Sequence, residues 1–320
     1  MNEDLSALIT RLHSYSGLAH KKDIQTVARQ LREAWPAPCA NGDDGALIPD
    51  GTGFKLLAME GFINHFVAED PWFAGWCGVM VNLSDIAAMG GRPLAIVNAL
   101  WDDDLPHAEQ ILQGMAAASR AWQVPIVGGH TNLRSEQPQL AVAVLGETTH
   151  PLSSFAVRPG QTLMVAINLH GRWHPPGLNW DAATDADPAA LRRTLSLLPE
   201  LAASGQVHAA KDISQAGLAG TLVMMLESAG LGAEIDLAQI PRPDEVGLEQ
   251  WLCAFPSFGF LLAVEAEHCD AVQQRFEACD VACAAVGKFT INQQLMMQLQ
   301  QQRACYWDLT QQPLTGMTNH

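Results

Sequence analysis

The stretch Trp72–Pro93, WFAGWCGVMVNLSDIAAMGGRP, decides how this chain folds. Its apolar residues run almost without interruption, which predicts a helix buried all round rather than one with a single apolar stripe. Gly90, Gly91 and Pro93 end it. Asn82 and Asp85 stand inside it, three apart, so a helix puts them on one face. Burying a lone carboxylate is costly. Asp85 is therefore paired, ligating or at the surface, and the residues alone leave all of these open.

Upstream, NGDDG places Asp43 and Asp44 side by side between glycines. The strand FKLLAME follows and ends at Glu60. Adjacent like charges repel, so water, a lysine or a metal ion compensates them. A solvated turn is the commoner reason for such a pair. The first ~35 residues show helical spacing at Leu8, Ile9, Leu12, Ile24, Val27, Ala28 and Leu31, with Pro36 and Pro38 as stops. Downstream, LAIVNAL reads as a strand and HAEQILQGMAAASRAW as a helix. VPIVGGHTN reads as a short strand entering a glycine turn that carries Gly128, Gly129, His130 and Thr131, and QLAVAVLGE as a further strand.

After Glu147 the segment TTHPLSSFAVRPGQ is rich in Ser, Thr, Pro and Gly, and divides the chain into domains 1–150 and 151–320. The second half opens with the strand TLMVAINL, followed by the long loop HGRWHPPGLNWDAATDADP. Helices follow at AALRRTLSLLPELAAS and LAGTLVMMLESAG, with strands at AEIDLAQIP and FGFLLAVE and a helix at HCDAVQQRFEAC. Asp212 and Ser214 lie in KDISQAGLAG, beside more glycine. Strands and helices mix in both halves without a regular βαβ repeat, an α/β (α+β) chain.

The 320 residues suit two domains, and 48% hydrophobic residues suffice for their cores. A formal charge of -16 argues against nucleic acid, which needs a basic footprint. No apolar run reaches the ~20 residues of a membrane span. The acidic start MNEDLSALIT lacks the layout of a signal peptide. Seven cysteines without a CxxC pair read as reduced thiols of a cytoplasmic protein. Cys279 and Cys283 are expected one turn apart on a helix.

The chain has no GxxxxGK[ST], no GxGxxG after a strand, no HExxH and no GxSxG. What remains is acidic and polar residues beside glycines. A hard cation such as magnesium bridges carboxylates to phosphates, and glycine-rich backbone offers N–H groups to phosphate oxygens. Together these make a nucleotide site without a P-loop.

The segments NGDDGALIP, EDPWFAGWCGVMVNLSDIAAMGGRPLA, VPIVGGHTN, RPGQTLMV and KDISQAGLAGTLVMMLESAGLGAEIDLAQIP resemble, in order and spacing, the AIR synthase (PurM-like) superfamily. Its members include thiamine-monophosphate kinase and selenophosphate synthetase. The resemblance implies a two-domain fold, with an N-terminal domain forming a barrel-like core with its twin in a homodimer, and a C-terminal α/β domain. It implies ATP bound between the domains, with Mg2+ on the acidic residues. Asp43, Asp44, Asp85 and Asp212 fall on the metal and phosphate positions, and Gly128 and Gly129 bring backbone to the phosphates.

There are departures. The chain has GGHT where the kinase has GGDT, so His130 replaces a carboxylate, and it has DISQAGL where the kinase has DISDGL. Glu60 falls where the kinase carries aspartate. The Trp-rich loop is similar to that of the AIR-synthase-related bacterial group, and its Arg172, Trp173, Trp180 and Asp181 are either substrate contacts or a loop pinned by its tryptophans. Lys21 and Lys22 stand ahead of the acidic cluster, as a catalytic lysine does in selenophosphate synthetase, and a pair of lysines on a solvated helix face is the commoner reading. The implied function is ATP- and Mg-dependent phosphate transfer to, or activation of, a small molecule. In it Asp43, Asp85 and His130 act in catalysis. Asn82, Gly128, Gly129, Thr131 and Ser214 hold the nucleotide, and Asp43, Asp44, Glu60, Asp85 and Asp212 hold metal. The alternatives are a nucleotide-binding scaffold without turnover and a diverged thiamine-monophosphate kinase.

Overall fold

The structure is a computed structural model that describes residues 4–31 and 42–317. The N-terminal helical pattern resolves into α1 (Leu5–His13), α2 (Ser16–Lys22) and α3 (Ile24–Leu31). The stops Pro36 and Pro38 lie outside the described residues. The chain forms two compact units, one of residues 44–151 with 184–200, the other of the remainder.

The first unit is built on a sheet of β1 (Ala46–Asp50), β2 (Gly53–Gly61), β3 (Arg92–Trp101), β4 (Ile126–Asn132) and β5 (Gln139–Thr148). Their order is β1-β2-β5-β3-β4, an open sheet with β1 and β4 at its edges. Alternation sorts its faces. Leu56, Ala58, Ile96, Val142 and Val144 are buried on one, while Leu57, Met59, Val97 and Leu145 stay exposed on the other.

After the short α4 (Asn64–Glu69) comes the helix of the opening stretch, α5 (Pro71–Ala88), which lies on the buried face. Asp70 caps it by accepting from Phe73 N at 3.3 Å, and Pro71 fills its first turn. It packs against α6 (Leu105–Trp122), and the two helices meet backbone to backbone. A Cβ on Gly75 would come closer than 3.0 Å to the Ile111 carbonyl oxygen, and one on Gly114 equally close to that of Trp72. Only glycine permits that approach.

Gly128 and Gly129 do not form the expected turn. They lie inside β4, which pairs in parallel with β3. The pairing is with residues far away in sequence, which local turn chemistry does not register.

The second unit has a sheet in the order β14-β13-β10-β12-β6-β11-β9. The strands are β6 (Thr162–Ile167), β9 (Ala209–Asp212), β10 (Gly232–Asp236), β11 (Gly259–Val264), β12 (Ala282–Thr290), β13 (Gln294–Leu299) and β14 (Gln302–Asp308). The Trp-rich loop carries a hairpin of β7 (Arg172–His174) and β8 (Asn179–Asp181), ahead of α7 (Pro188–Ala203). The remaining helices are α8 (Gly217–Ala229), α9 (Leu248–Leu252) and α10 (Cys269–Glu277). The glutamine-rich residues 293–302 and those just after them supply β13 and β14.

The tryptophans pin the hairpin. Trp180 is buried, donates from Nε1 to Asn168 O at 3.0 Å, and meets Trp173 and Trp251 edge-on. Arg172 Nη2 stands 3.6 Å from Asp181 Oδ2. Lys22 lies 5.5 Å above the Trp307 ring.

Glu227 of α8 holds the C-terminal segment. Its carboxylate, 3% exposed, accepts from the amides of Leu314 at 2.9 Å, Thr315 at 2.8 Å and Gly316 at 3.1 Å, and from Thr315 Oγ1 at 2.6 Å. The cysteine expectation fails. Cys279 follows the end of α10 and Cys283 is in β12, so no helix carries both, because the helix stops at Glu277. Burial pushes the Cys283 thiol up to about 12, which makes it a poor nucleophile.

Gly75→Ala is expected to lower stability by at least about 2 kcal/mol, because backbone must move to admit the methyl group. Urea unfolding followed by tryptophan fluorescence checks it.

Candidate functional site

The predicted residues divide between the units. Asp44, Glu60, Asn82, Asp85, Gly128, Gly129, His130 and Thr131 belong to the first, and Asp43, Asp212 and Ser214 to the second.

In the first unit α5 organises the polar groups. Gly78, Asn82 and Asp85 share one stripe of the helix, and a Cβ on Gly78 would touch Val142 of β5, so the stripe faces the sheet. Asn82 is fully buried. Its amide nitrogen donates to Gly78 O at 2.8 Å, and its Oδ1 accepts no hydrogen bond. An orphaned buried oxygen is rare in a native fold and marks a place where a donor or a cation belongs. Asp85 is 7% exposed, one turn further on. The backbone next to Asp44 runs past the same end of α5: a Cβ on Gly45 would be 3.6 Å from Met89 Cγ, and Met89 caps the helix.

Glu60 and the glycines lie elsewhere on the sheet. Glu60 pairs with Val142, Val142 with Asn98, and Asn98 with Gly129, one row across β2-β5-β3-β4. Val142 stands at the level of Gly78, so about 10 Å of helix separates that row from Asp85. Asn98 was not singled out from the sequence. A Cβ on Gly129 would strike both its side-chain and backbone oxygens, whereas one on Gly128 would meet nothing within 4 Å. His130 pairs with Ala99, on the sheet face opposite to that of Gly129, and its ring is 6.0 Å from that of Trp101. Glu60 thus lies on the sheet face that the α5 stripe covers, level with Gly78, and His130 lies on the opposite face. Among the described residues no group of three or more His, Cys, Asp or Glu side chains comes together to cage a metal.

In the second unit a further cluster was only partly foreseen. Asp43 Oδ2 accepts from Ser153 Oγ at 2.7 Å and Ser154 N at 2.9 Å, and its Oδ1 accepts from Ser154 Oγ at 2.8 Å. Lys211 Nζ is 3.9 Å from the same Oδ1, with both side chains almost wholly buried. Lys211 and Asp212 are successive residues of β9, so they point to opposite faces. Asp212 Oδ2 accepts from Ser257 Oγ at 2.9 Å. Ser257 holds a left-handed backbone, φ 46°, a conformation of the kind that folds retain at working sites. Ser214 follows β9, and its buried Oγ has no hydrogen-bond partner. The missed signals were a lysine inside KDIS and two serines in PLSSF.

The model for the N-terminal domain of AIR synthase related proteins matches residues 42–148, and that for their C-terminal domain matches residues 160–299. The chain belongs to the AIR synthase related family. It is 42% identical to the uncharacterized protein sll0787 of Synechocystis sp., over 98% of this chain and 99% of that protein. The fold matches PurL of T. maritima complexed with ATP, with TM-score 0.70 and 19% identity over 88% of this chain and 46% of that one. It also matches AaThiL complexed with AMPPCP and TMP, with TM-score 0.67 and 16% identity over 88% of this chain and 96% of that one. The chain spans about half the length of the T. maritima chains it matches. These likenesses establish the mixed α+β fold with two sheet-bearing units.

Magnesium, which the family implies, suits the oxygen donors of the α5 stripe. The orphaned Asn82 Oδ1 and the neighbouring Asp85 are hard ligands of the kind that ion takes.

Gly128→Ala is expected to leave stability within about 0.5 kcal/mol of the parent, as substitutions clear of packing do. Gly129→Ala is expected to lose at least about 1 kcal/mol through its clash with Asn98. Paired thermal melts check the contrast.

Proposed function

We propose that the protein is an ATP- and Mg-dependent enzyme that transfers phosphate to, or activates through phosphate, a small molecule. The observation that carries this is the buried Asn82 Oδ1 without a partner, one turn from Asp85 inside an apolar helix. A fold does not keep such polar groups in its core for stability. The nucleotide complexes of PurL and AaThiL, which share the fold, support ATP as the nucleotide.

In this reading Asn82, Asp85 and Asp44 hold the magnesium, which offsets charge on the phosphates. The polypeptide itself positions the reactants. The exposed backbone of β4 at Gly128 and Thr131 orients the nucleotide, and an added side chain at Gly128 would block that approach. Within the second unit, Ser214 presents an unpartnered hydroxyl and Asp212 a carboxylate fixed by Ser257. Glu60 and His130, on opposite faces of the sheet, act apart from each other, His130 as an exposed proton donor or ligand. Their distance from Asp85 favours a second reading, a nucleotide-binding protein without turnover.

The protein is also proposed to be a homodimer. Leu57, Met59, Val97, Val127 and Leu145 are exposed hydrophobics of its first sheet, and Met59 is 65% exposed. A patch of this kind on a soluble chain marks an interaction surface. A cytoplasmic location accords with the free cysteines among the described residues. No helix among those residues is long and apolar enough to cross a membrane.

Asp85→Asn is expected to lower ATP hydrolysis at least ~100-fold, the scale of losing one charged group at a phosphoryl centre, with an unchanged circular dichroism spectrum. Normal turnover in that variant would remove the assignment. ATP binding without phosphate release, for any acceptor tried, would favour the second reading. Light scattering should give the mass of two chains, and Met59→Lys should give one.

A further inference from the structure

Lys211 is a buried cation in a chain of strongly negative charge, and its side chain is only 4% exposed. Nothing in the proposed reaction uses it. A buried ammonium persists where a carboxylate balances it. Asp43 is that carboxylate, with Oδ1 3.9 Å from Nζ.

The rest of Asp43 is also engaged. Ser153 Oγ and Ser154 N bind Oδ2, and Ser154 Oγ binds Oδ1. These donors come from a short helical turn, Ser154–Ala156, and the serine capping it, which pack against β9 and α8. A divalent ion on Asp43 would need to displace them. It would also sit within a few ångströms of an ammonium whose side chain is almost wholly buried. Like charges at that range in a desolvated site repel strongly.

We propose that Lys211 is a built-in counter-cation that keeps divalent metal off Asp43. The two adjacent aspartates then have different tasks. Asp43 latches the Ser153–Ser154 turn to β9, and Asp44 remains for the metal. The inference rests on the proposed function for the Asp44–Asp85 side alone; the exclusion at Asp43 stands on its own contacts. It changes the reading of Asp43 from metal ligand and catalytic residue to positioning residue.

Mn2+ binding to the full-length protein, counted by the loss of the free-ion electron paramagnetic resonance signal, tests it. The variants are Lys211→Met, Asp43→Asn, Asp85→Asn and the double variant Lys211→Met/Asp43→Asn. Lys211→Met removes the charge and keeps the length and most of the volume. It is expected to bind one Mn2+ more than the parent, and the double variant is expected to lose that ion again. Asp43→Asn alone is expected to keep the parental Mn2+ affinity within about threefold. Thermal melts serve as the fold control, with the double variant melting above Asp43→Asn, because the latter keeps the buried ammonium and removes the charge of Asp43. The same stoichiometry in Lys211→Met as in the parent would overturn the proposal. So would a tenfold or greater loss of affinity in Asp43→Asn. The parental ion reports on the other reading: if Asp85→Asn does not remove it, the proposed function fails while the gain in Lys211→Met still decides the role of Lys211.

Discussion

A carboxylate taken out of water must be matched by donors or by a cation, and that constraint shapes this molecule more than any other. The chain carries a formal charge of -16, so cations are scarce and each buried acid is matched differently. Asp43 has Lys211 and two serines. Glu227 has the amides of three successive residues and a threonine hydroxyl. Asp102 accepts from the amides of Asp103 and Asp104 and contacts His107 Nδ1 at 2.6 Å. Asp212 has Ser257. Each match also ties together distant segments: Asp43 fixes the turn that leads into β6, and Glu227 fixes the chain end onto α8.

Against that background Asn82 stands out. It lies in the most tightly packed helix of the first unit, where Gly75 and Gly114 bring two backbones into contact, yet its oxygen has no donor. The tight crossing holds α5 rigidly on the sheet, which is what a site for a small hard cation requires. Rigidity and an unmet polar group on one element join the packing of the fold to its chemistry.

Much of this was legible in the residues. The apolar run from Trp72 with its Pro and Gly-Gly bounds dictated α5, because capping and burial are local properties. The segment order identified the family. The misreadings share a cause, contacts made at long range. Gly128 and Gly129 spell a turn locally, but β3 recruits them into an edge strand. The short strand β9 and the turn at Ser153 show no periodicity, so the partnership of Lys211 with Asp43 was invisible until the fold joined them. The register also puts Glu60 and His130 on opposite faces of the first sheet, which their order along the chain does not reveal. Of the two readings left open for the long loop, the packing of its tryptophans favours the pinned one, because Trp251, far along the chain, closes the cluster.

The account stands on a nucleotide and its metal being taken up by the α5 stripe. Calorimetric titration of metal-free protein with ATP, with and without magnesium, tests that most directly. It should show saturable binding that appears or tightens at least tenfold when magnesium is present. Absence of binding in both conditions would contradict it, and would leave the buried oxygen of Asn82 without an explanation.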